Sequence, residues 1–113
     1  MNLYKNIKRI LKKYRGKDEY SIDFENAKNL LKNDKKALLI DVRSKQEYRE
    51  GHLEGSINIS LYDIERGNFI KVEKNTTIIL YCEQGKRSKK AMKFLRENGY
   101  ENVYHIEGGL NNI

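Results

Sequence analysis

Proline and tryptophan are absent from the 113 residues, and there are one cysteine and two histidines. Without proline, the turns fall to glycine, asparagine and aspartate. A lone cysteine excludes an internal disulfide and a cysteine-based metal site. His52 and His105 are too few and too scattered to suggest a metal cluster. The N-terminus carries no apolar run of the kind that begins a secretory signal, and no stretch approaches the roughly 20 apolar residues that span a bilayer. A reducing, cytoplasmic setting is the expectation.

Acid is missing from residues 1–17, which hold Lys5, Lys8, Arg9, Lys12, Lys13, Arg15 and Lys17, whereas residues 18–113 hold 16 basic and 16 acidic residues. The formal charge of +7 therefore belongs to the N-terminal segment, and the body is neutral. Leu3, Ile7, Ile10, Leu11 and Tyr14 recur at helical spacing, which predicts an amphipathic basic helix. A boundary near Gly16–Glu19 separates this extension (1–18) from a single domain (19–113). The extension is expected to pack on the domain, or to dock through residues 1–17 on an acidic protein partner or an anionic membrane surface. Nucleic-acid binding is not expected, because the basic charge comes without a recognition motif.

The domain itself alternates short apolar runs with helical patterns. Tyr20–Ile22 reads as a short strand, and Asp23 as the cap of a helix burying Phe24, Ala27, Leu30 and Leu31. Ala37–Val42 reads as a buried strand. Ser44 and Glu47 form a capping-box pattern that starts a helix ending at Gly51. Ser56–Ile59 is a further short strand, and residues 61–75 combine a turn of helix with a loop. Thr77–Tyr81 is the clearest strand. After it come Cys82-Glu83-Gln84-Gly85-Lys86-Arg87-Ser88, then a helix with Ala91, Met92 and Leu95 inward that stops at Gly99. Val103–Ile106 is the last strand, and Gly108-Gly109 opens a short final helix. Strands alternating with helices predict an α/β fold with a largely parallel sheet, which places ligands at the carboxyl ends of its strands.

Cys82 stands at such an end. The turn from Cys82 to Ser88 joins a buried strand to a helix N-terminus, where backbone amides lack intrahelical partners and the helix dipole favours an anion. Gly85 allows the chain to curl tightly, and Lys86 and Arg87 add positive charge. A thiol in that setting is expected to ionise well below about 8.5, in the range of roughly 3.5–7.5. The bland alternative is a small buried hydrophobe at a strand end. Lys89, Lys90 and Lys93, further along the helix, read as a solvated face.

These residues resemble the rhodanese family over about residues 20–110. Leu39-Ile40-Asp41-Val42-Arg43, then Glu47-Tyr48, then Gly51-His52-Leu53-Glu54-Gly55-Ser56-Ile57-Asn58 are similar to its first signature. Ile79-Leu80-Tyr81-Cys82-Glu83-Gln84-Gly85-Lys86-Arg87-Ser88 resembles its active-site loop. Gly99-Tyr100 and Val103–Gly109 resemble its ending. The resemblance implies a five-stranded parallel sheet flanked by helices. It implies Cys82 as a sulfur-carrying nucleophile, with Glu83, Gln84, Gly85, Lys86, Arg87 and Ser88 as the substrate-binding loop around it. It further implies transfer of a sulfane sulfur, through a Cys82 persulfide and with no cofactor or metal, from thiosulfate or a protein persulfide to cyanide or a thiol, either small or on a thioredoxin-like protein. Asp41 and Arg43 read as supporting groups: Asp41 caps loop amides at a strand end, and Arg43 pairs with an acid. His52 and His105 read as packed, hydrogen-bonded residues.

Two alternatives stand beside this reading. One is a non-catalytic binding or delivery module on the same fold. The other is a cysteine phosphatase or arsenate reductase, which has five residues between cysteine and arginine where this chain has the four from Glu83 to Lys86. Glu83 departs from the family pattern, and its carboxylate is expected to disfavour an anionic donor. The family pattern also continues after the double glycine with a tryptophan-containing helix, so a thinner cover is expected there.

Overall fold

Successive residues of a strand face opposite sides of its sheet, and here both sides are buried. β1 (Ser21–Ile22), β2 (Leu38–Asp41), β3 (Ile57–Asn58), β4 (Thr77–Tyr81) and β5 (Asn102–Ile106) form one sheet in the order β1-β5-β4-β2-β3, with every neighbouring pair parallel. The computed structural model describes residues 20–69 and 71–113. The basic N-terminal helix expected from the sequence lies outside the described residues.

β4 is the central strand, and its alternation assigns the helices. Ile78 and Leu80 join Ile40, Val42 and Val103 on one face, covered by Ile64 of α3 (Leu61–Glu65) and by Ala91, Met92 and Leu95 of α4 (Lys86–Glu97). Ile79 and Tyr81 join Ile22, Leu39, Tyr104 and Ile106 on the other, covered by Ala27, Phe24, Leu30 and Leu31 of α1 (Phe24–Asn33). Each fully buried Ile or Leu stabilises the fold by on the order of 2 kcal/mol. Cys82, two residues beyond Leu80, belongs to the α3–α4 face.

Three of the four α-helices among the described residues begin on a side-chain cap. Asp23 accepts the Asn26 amide of α1 at 2.8 Å. Ser44 and Glu47 complete the expected capping box of α2 (Lys45–Glu50). Ser60 accepts the Asp63 amide of α3 at 3.2 Å, which fixes the helical turn expected within residues 61–75. α4 instead starts after Gly85, in a left-handed conformation (φ 91°), with no side-chain cap hydrogen bond.

The ends of β1, β2 and β5 shift by one residue from the sequence reading, and two further differences have a local cause. β3 is only Ile57–Asn58, because the Ser56 amide and hydroxyl turn back to the Leu53 carbonyl instead of joining the sheet. Lys86, Arg87 and Ser88 are the first turn of α4, not a loop. Gly85 supplies the sharp turn that frees the next residue to be helical.

Candidate active site

Cys82 follows the last residue of the central strand and is 1% exposed. Its burial is not that of a hydrophobe in hydrocarbon alone. The Gly85 amide donates to Sγ at 3.1 Å and the Ser88 amide at 3.4 Å, and the Ser88 hydroxyl oxygen lies 3.5 Å away. The sulfur thus occupies the place that a serine or aspartate oxygen takes in α1, α2 and α3. Amide donors aimed at one atom favour negative charge on it.

The last turn of the chain sets this geometry from behind. Leu110 and Asn111, in a 3₁₀ helix (Gly109–Asn112), donate their amides to the carbonyls of Cys82 and Glu83 at 2.9 and 3.0 Å. With those carbonyls held outward, the turn's amides face the sulfur. The contact is close: a Cβ on Gly109 would collide with the Cys82 carbonyl oxygen. The expected short helix after Gly108 is therefore a clamp on the Cys82 backbone.

In front of the sulfur is an open pocket of about 330 Å³, lined by Glu47, Cys82, Glu83, Gln84, Lys86 and Arg87. The sequence reading placed two cations here. The structure pairs one of them: the Arg87 guanidinium grips Glu47 through two hydrogen bonds of 2.7 and 2.9 Å. Hydrogen bonds from Arg87, more than any other influence, hold the Glu47 carboxyl down at about 2. They also raise Arg87 above its ordinary value. Glu47 was legible as a helix cap, but nothing in the sequence signalled a contact 40 residues away.

Asp41 and Arg43 form a buried platform beside the pocket. Asp41 Oδ1 accepts the Arg43 amide at 2.9 Å, and Arg43 Nη2 reaches Asp41 Oδ2 at 2.8 Å and the Gly51 carbonyl at 2.6 Å. Neither touches the sulfur in any hydrogen bond above. The Asp41 hydrogen bond is also the largest influence raising the Arg43 guanidinium. Arg43 Nη1 stands 3.9 Å from the Glu83 carboxylate, which offsets only part of the repulsion expected of that acid. Asp41, Glu47 and Glu83 face Arg43, Lys86 and Arg87, so the rim is balanced in charge. The amides, rather than a cationic pocket, are what favour an anion at Sγ.

The histidines part company. His52 is exposed, stacked on Tyr48 at 3.7 Å with Nδ1 2.8 Å from the Tyr48 carbonyl oxygen, and lies outside the site. His105 is buried behind the sulfur, with Nδ1 3.1 Å from the Ser88 hydroxyl and Nε2 2.8 Å from Ser21. Tyr81 lies on the opposite face of the sheet: its hydroxyl accepts the Leu53 amide at 3.0 Å, and burial pushes it up to about 12. Among the described residues, no group of three or more His, Cys, Asp or Glu is placed to hold a metal ion, and no helix is long and apolar enough to cross a membrane.

Comparison with known proteins matches residues 23–113 to the rhodanese-like domain. Two curated relatives are tRNA uridine(34) hydroxylases. That of Buchnera aphidicola subsp. Baizongia pistaciae is 36% identical over 91 residues, covering 76% of this chain and 29% of the relative. That of Erwinia tasmaniensis is 38% identical over 88 residues, covering 73% and 25%. The chain thus spans under a third of their length. Among solved structures, a rhodanese-like domain protein from Staphylococcus aureus superposes with a TM-score of 0.71 at 29% identity, covering 81% of this chain and 88% of that one. The human single-domain sulfurtransferase TSTD1 gives 0.74 at 23% identity, covering 82% and 93%, a likeness of fold.

Proposed function

The chain belongs to the rhodanese-like domain family, and from that membership we propose that it is a sulfurtransferase working through a Cys82 persulfide. The observation that carries the proposal is the pair of amides on the sulfur, from Gly85 and Ser88. They stabilise a thiolate without a base beside it. They remain available to a sulfur that leaves and returns as an anion.

In the first step the Cys82 thiolate attacks the outer sulfur of a sulfane donor. The donor's S–S bond breaks, and its electron pair leaves with sulfite, if the donor is thiosulfate, or with a thiolate, if it is a persulfide. In the second step an acceptor thiolate or cyanide attacks the terminal sulfur of the persulfide. The Cys82 sulfur is then released as thiolate, and the enzyme is regenerated. Atoms and charge balance in both steps, as ping-pong catalysis requires. The balanced rim and the Glu83 carboxylate favour a persulfide donor over thiosulfate.

The test is turnover. Thiocyanate should form from thiosulfate and cyanide with the wild type and not with Cys82→Ser, which keeps an oxygen to cap α4. Equal turnover by the two proteins rules the proposal out. A cellular role untouched by Cys82→Ser would instead favour a binding module. A second reading draws on the names of the curated relatives, namely action on a tRNA uridine. Retention of unmodified transfer RNA by the chain, together with no sulfur transfer from any sulfane donor, would put that reading first.

A further inference from the structure

We infer that His105 is a positioning residue for Cys82 that acts through Ser88, its imidazole turning the Ser88 hydroxyl proton toward the sulfur. The inference rests on Cys82 as the nucleophile. Its readout is thiol reactivity, which needs no sulfur donor, so the two ideas can fail separately.

The parts are brought together by the fold. Parallel register places Ser21 of β1 beside His105 of β5. His105 points to the α4 face of the sheet, where the first turn of α4 presents Ser88. The resulting line runs from Ser21 Oγ to His105 Nε2 (2.8 Å), from His105 Nδ1 to Ser88 Oγ (3.1 Å), and from Ser88 Oγ to Cys82 Sγ (3.5 Å). Ser21, Ser88, His105 and Cys82 are each no more than 5% exposed. In such surroundings the direction of each hydrogen bond matters, because bulk water is not there to substitute.

Ser88 has one hydroxyl proton and three neighbours that could accept it: the sulfur, His105 Nδ1 and the Gly85 carbonyl, 3.2 Å away. The Gly85 carbonyl already accepts the Lys89 amide at 3.1 Å and does not require it. The imidazole therefore decides. With hydrogen on Nδ1, His105 donates to Ser88 Oγ, the hydroxyl proton turns to the sulfur, and the Ser21 hydroxyl donates to Nε2. All donors then run one way, ending on a thiolate with three hydrogen bonds. With hydrogen on Nε2, Nδ1 draws the hydroxyl proton away, and Ser88 Oγ can only accept from a neutral S–H. The tautomer of His105 and the charge of Cys82 are thus linked.

His105 and Ser88 sit behind the sulfur, away from the pocket. Their effect falls on thiolate formation and on release of the Cys82 sulfur in the second step, and so on kcat rather than on the donor's KM. Two amide substitutions separate the two ends of the ring. In His105→Asn the side-chain amide stands near Nδ1 and can still donate to Ser88. In His105→Gln it reaches the Nε2 position and serves Ser21 alone. Alkylation of Cys82 by iodoacetamide at neutral pH should slow about tenfold in His105→Gln, the worth of one hydrogen bond to a charged group. It should stay within about threefold of wild type in His105→Asn. kcat should follow the same order with KM for thiosulfate unchanged. Wild-type alkylation in both variants overturns the inference, and so does equal slowing in both, which would mark a structural loss. Should the glutamine variant not fold, Ser88→Ala supplies the check. His105→Ala should slow alkylation in the wild type but change it no further when added to Ser88→Ala, whereas additive slowing overturns the inference.

Discussion

The turn after β2 and the turn after β4 leave neighbouring parallel strands at the same end of the sheet, and they satisfy their helices in opposite ways. After β2, side chains do the work. Asp41 accepts the Arg43 amide, Ser44 accepts the Glu47 amide, and Glu47 returns to the Ser44 amide. After β4, Gly85 bends left-handed, no capping side chain of the usual kind follows, and the donors converge on the Cys82 sulfur. A helix start closed by its own oxygen atoms is structure. One closed by a sulfur has a capping atom that can also react. Glu47 joins the two turns, since one carboxylate completes the box of α2 and holds Arg87 of α4.

The comparison breaks most sharply on Gly85. A Cβ there would sit at φ 91° and 3.0 Å from the Gly108 amide nitrogen. Gly85→Ala should destabilise the protein by about 2 kcal/mol through left-handed strain and crowding. It should also lower sulfur-transfer kcat more than about tenfold, because the displaced amide is a charge-assisted donor. Ser44→Ala, the matching change in the other turn, should cost about 1 kcal/mol and leave kcat alone. Urea denaturation and turnover on both variants check this, and a Ser44→Ala enzyme slowed as much as Gly85→Ala would contradict it.

Glu47 gives a smaller effect with a defined pH window. Its folded value, about 2, lies below the ordinary 4.5, so its stabilisation is fully present above pH 4.5 and is lost as pH falls towards 2. Both partners are more than or about a third exposed, at 35% for Glu47 and 39% for Arg87. The loss should therefore amount to about 1 kcal/mol after solvent screening. Denaturation midpoints measured across that window should fall more steeply for the wild type than for Glu47→Gln. Parallel curves would mean that the bridge between the turns contributes nothing.

The smallest change concerns Glu83, the acid that distinguishes the second turn. Glu83→Gln removes a carboxylate from the pocket rim and should lower KM for thiosulfate by up to about fivefold, the worth of one water-screened charge at contact. A higher KM would show that Glu83 helps to bind the donor.

Much of this was legible in the residues. Thr77–Tyr81 could hardly be other than a buried strand, and Ser44 with Glu47 marked the start of α2 because a local hydrogen-bond pattern has a local signature. The sequence places the start of α4 too late, after Ser88 instead of at Lys86, for a physical reason. Its capping atom is a sulfur four residues upstream of the first helical residue, which no sequence rule for serine or aspartate caps would detect. The pairs Glu47–Arg87 and Ser88–His105 were hidden because they join segments 40 and 17 residues apart, whose approach is set by sheet order. The Gly108-Gly109 pair was visible as a motif, but the two carbonyls its turn would clamp were not.

The central claim is that the Cys82 sulfur takes up and holds one further sulfur atom. The most direct measurement is the intact mass of the protein after exposure to thiosulfate and, separately, to a small persulfide, with the adduct located by peptide mapping. The account predicts the added mass of one sulfur, on the peptide containing Cys82, removed by cyanide and absent in Cys82→Ser. A wild-type protein that stays at its starting mass with both donors, while its thiol still alkylates readily, would contradict it.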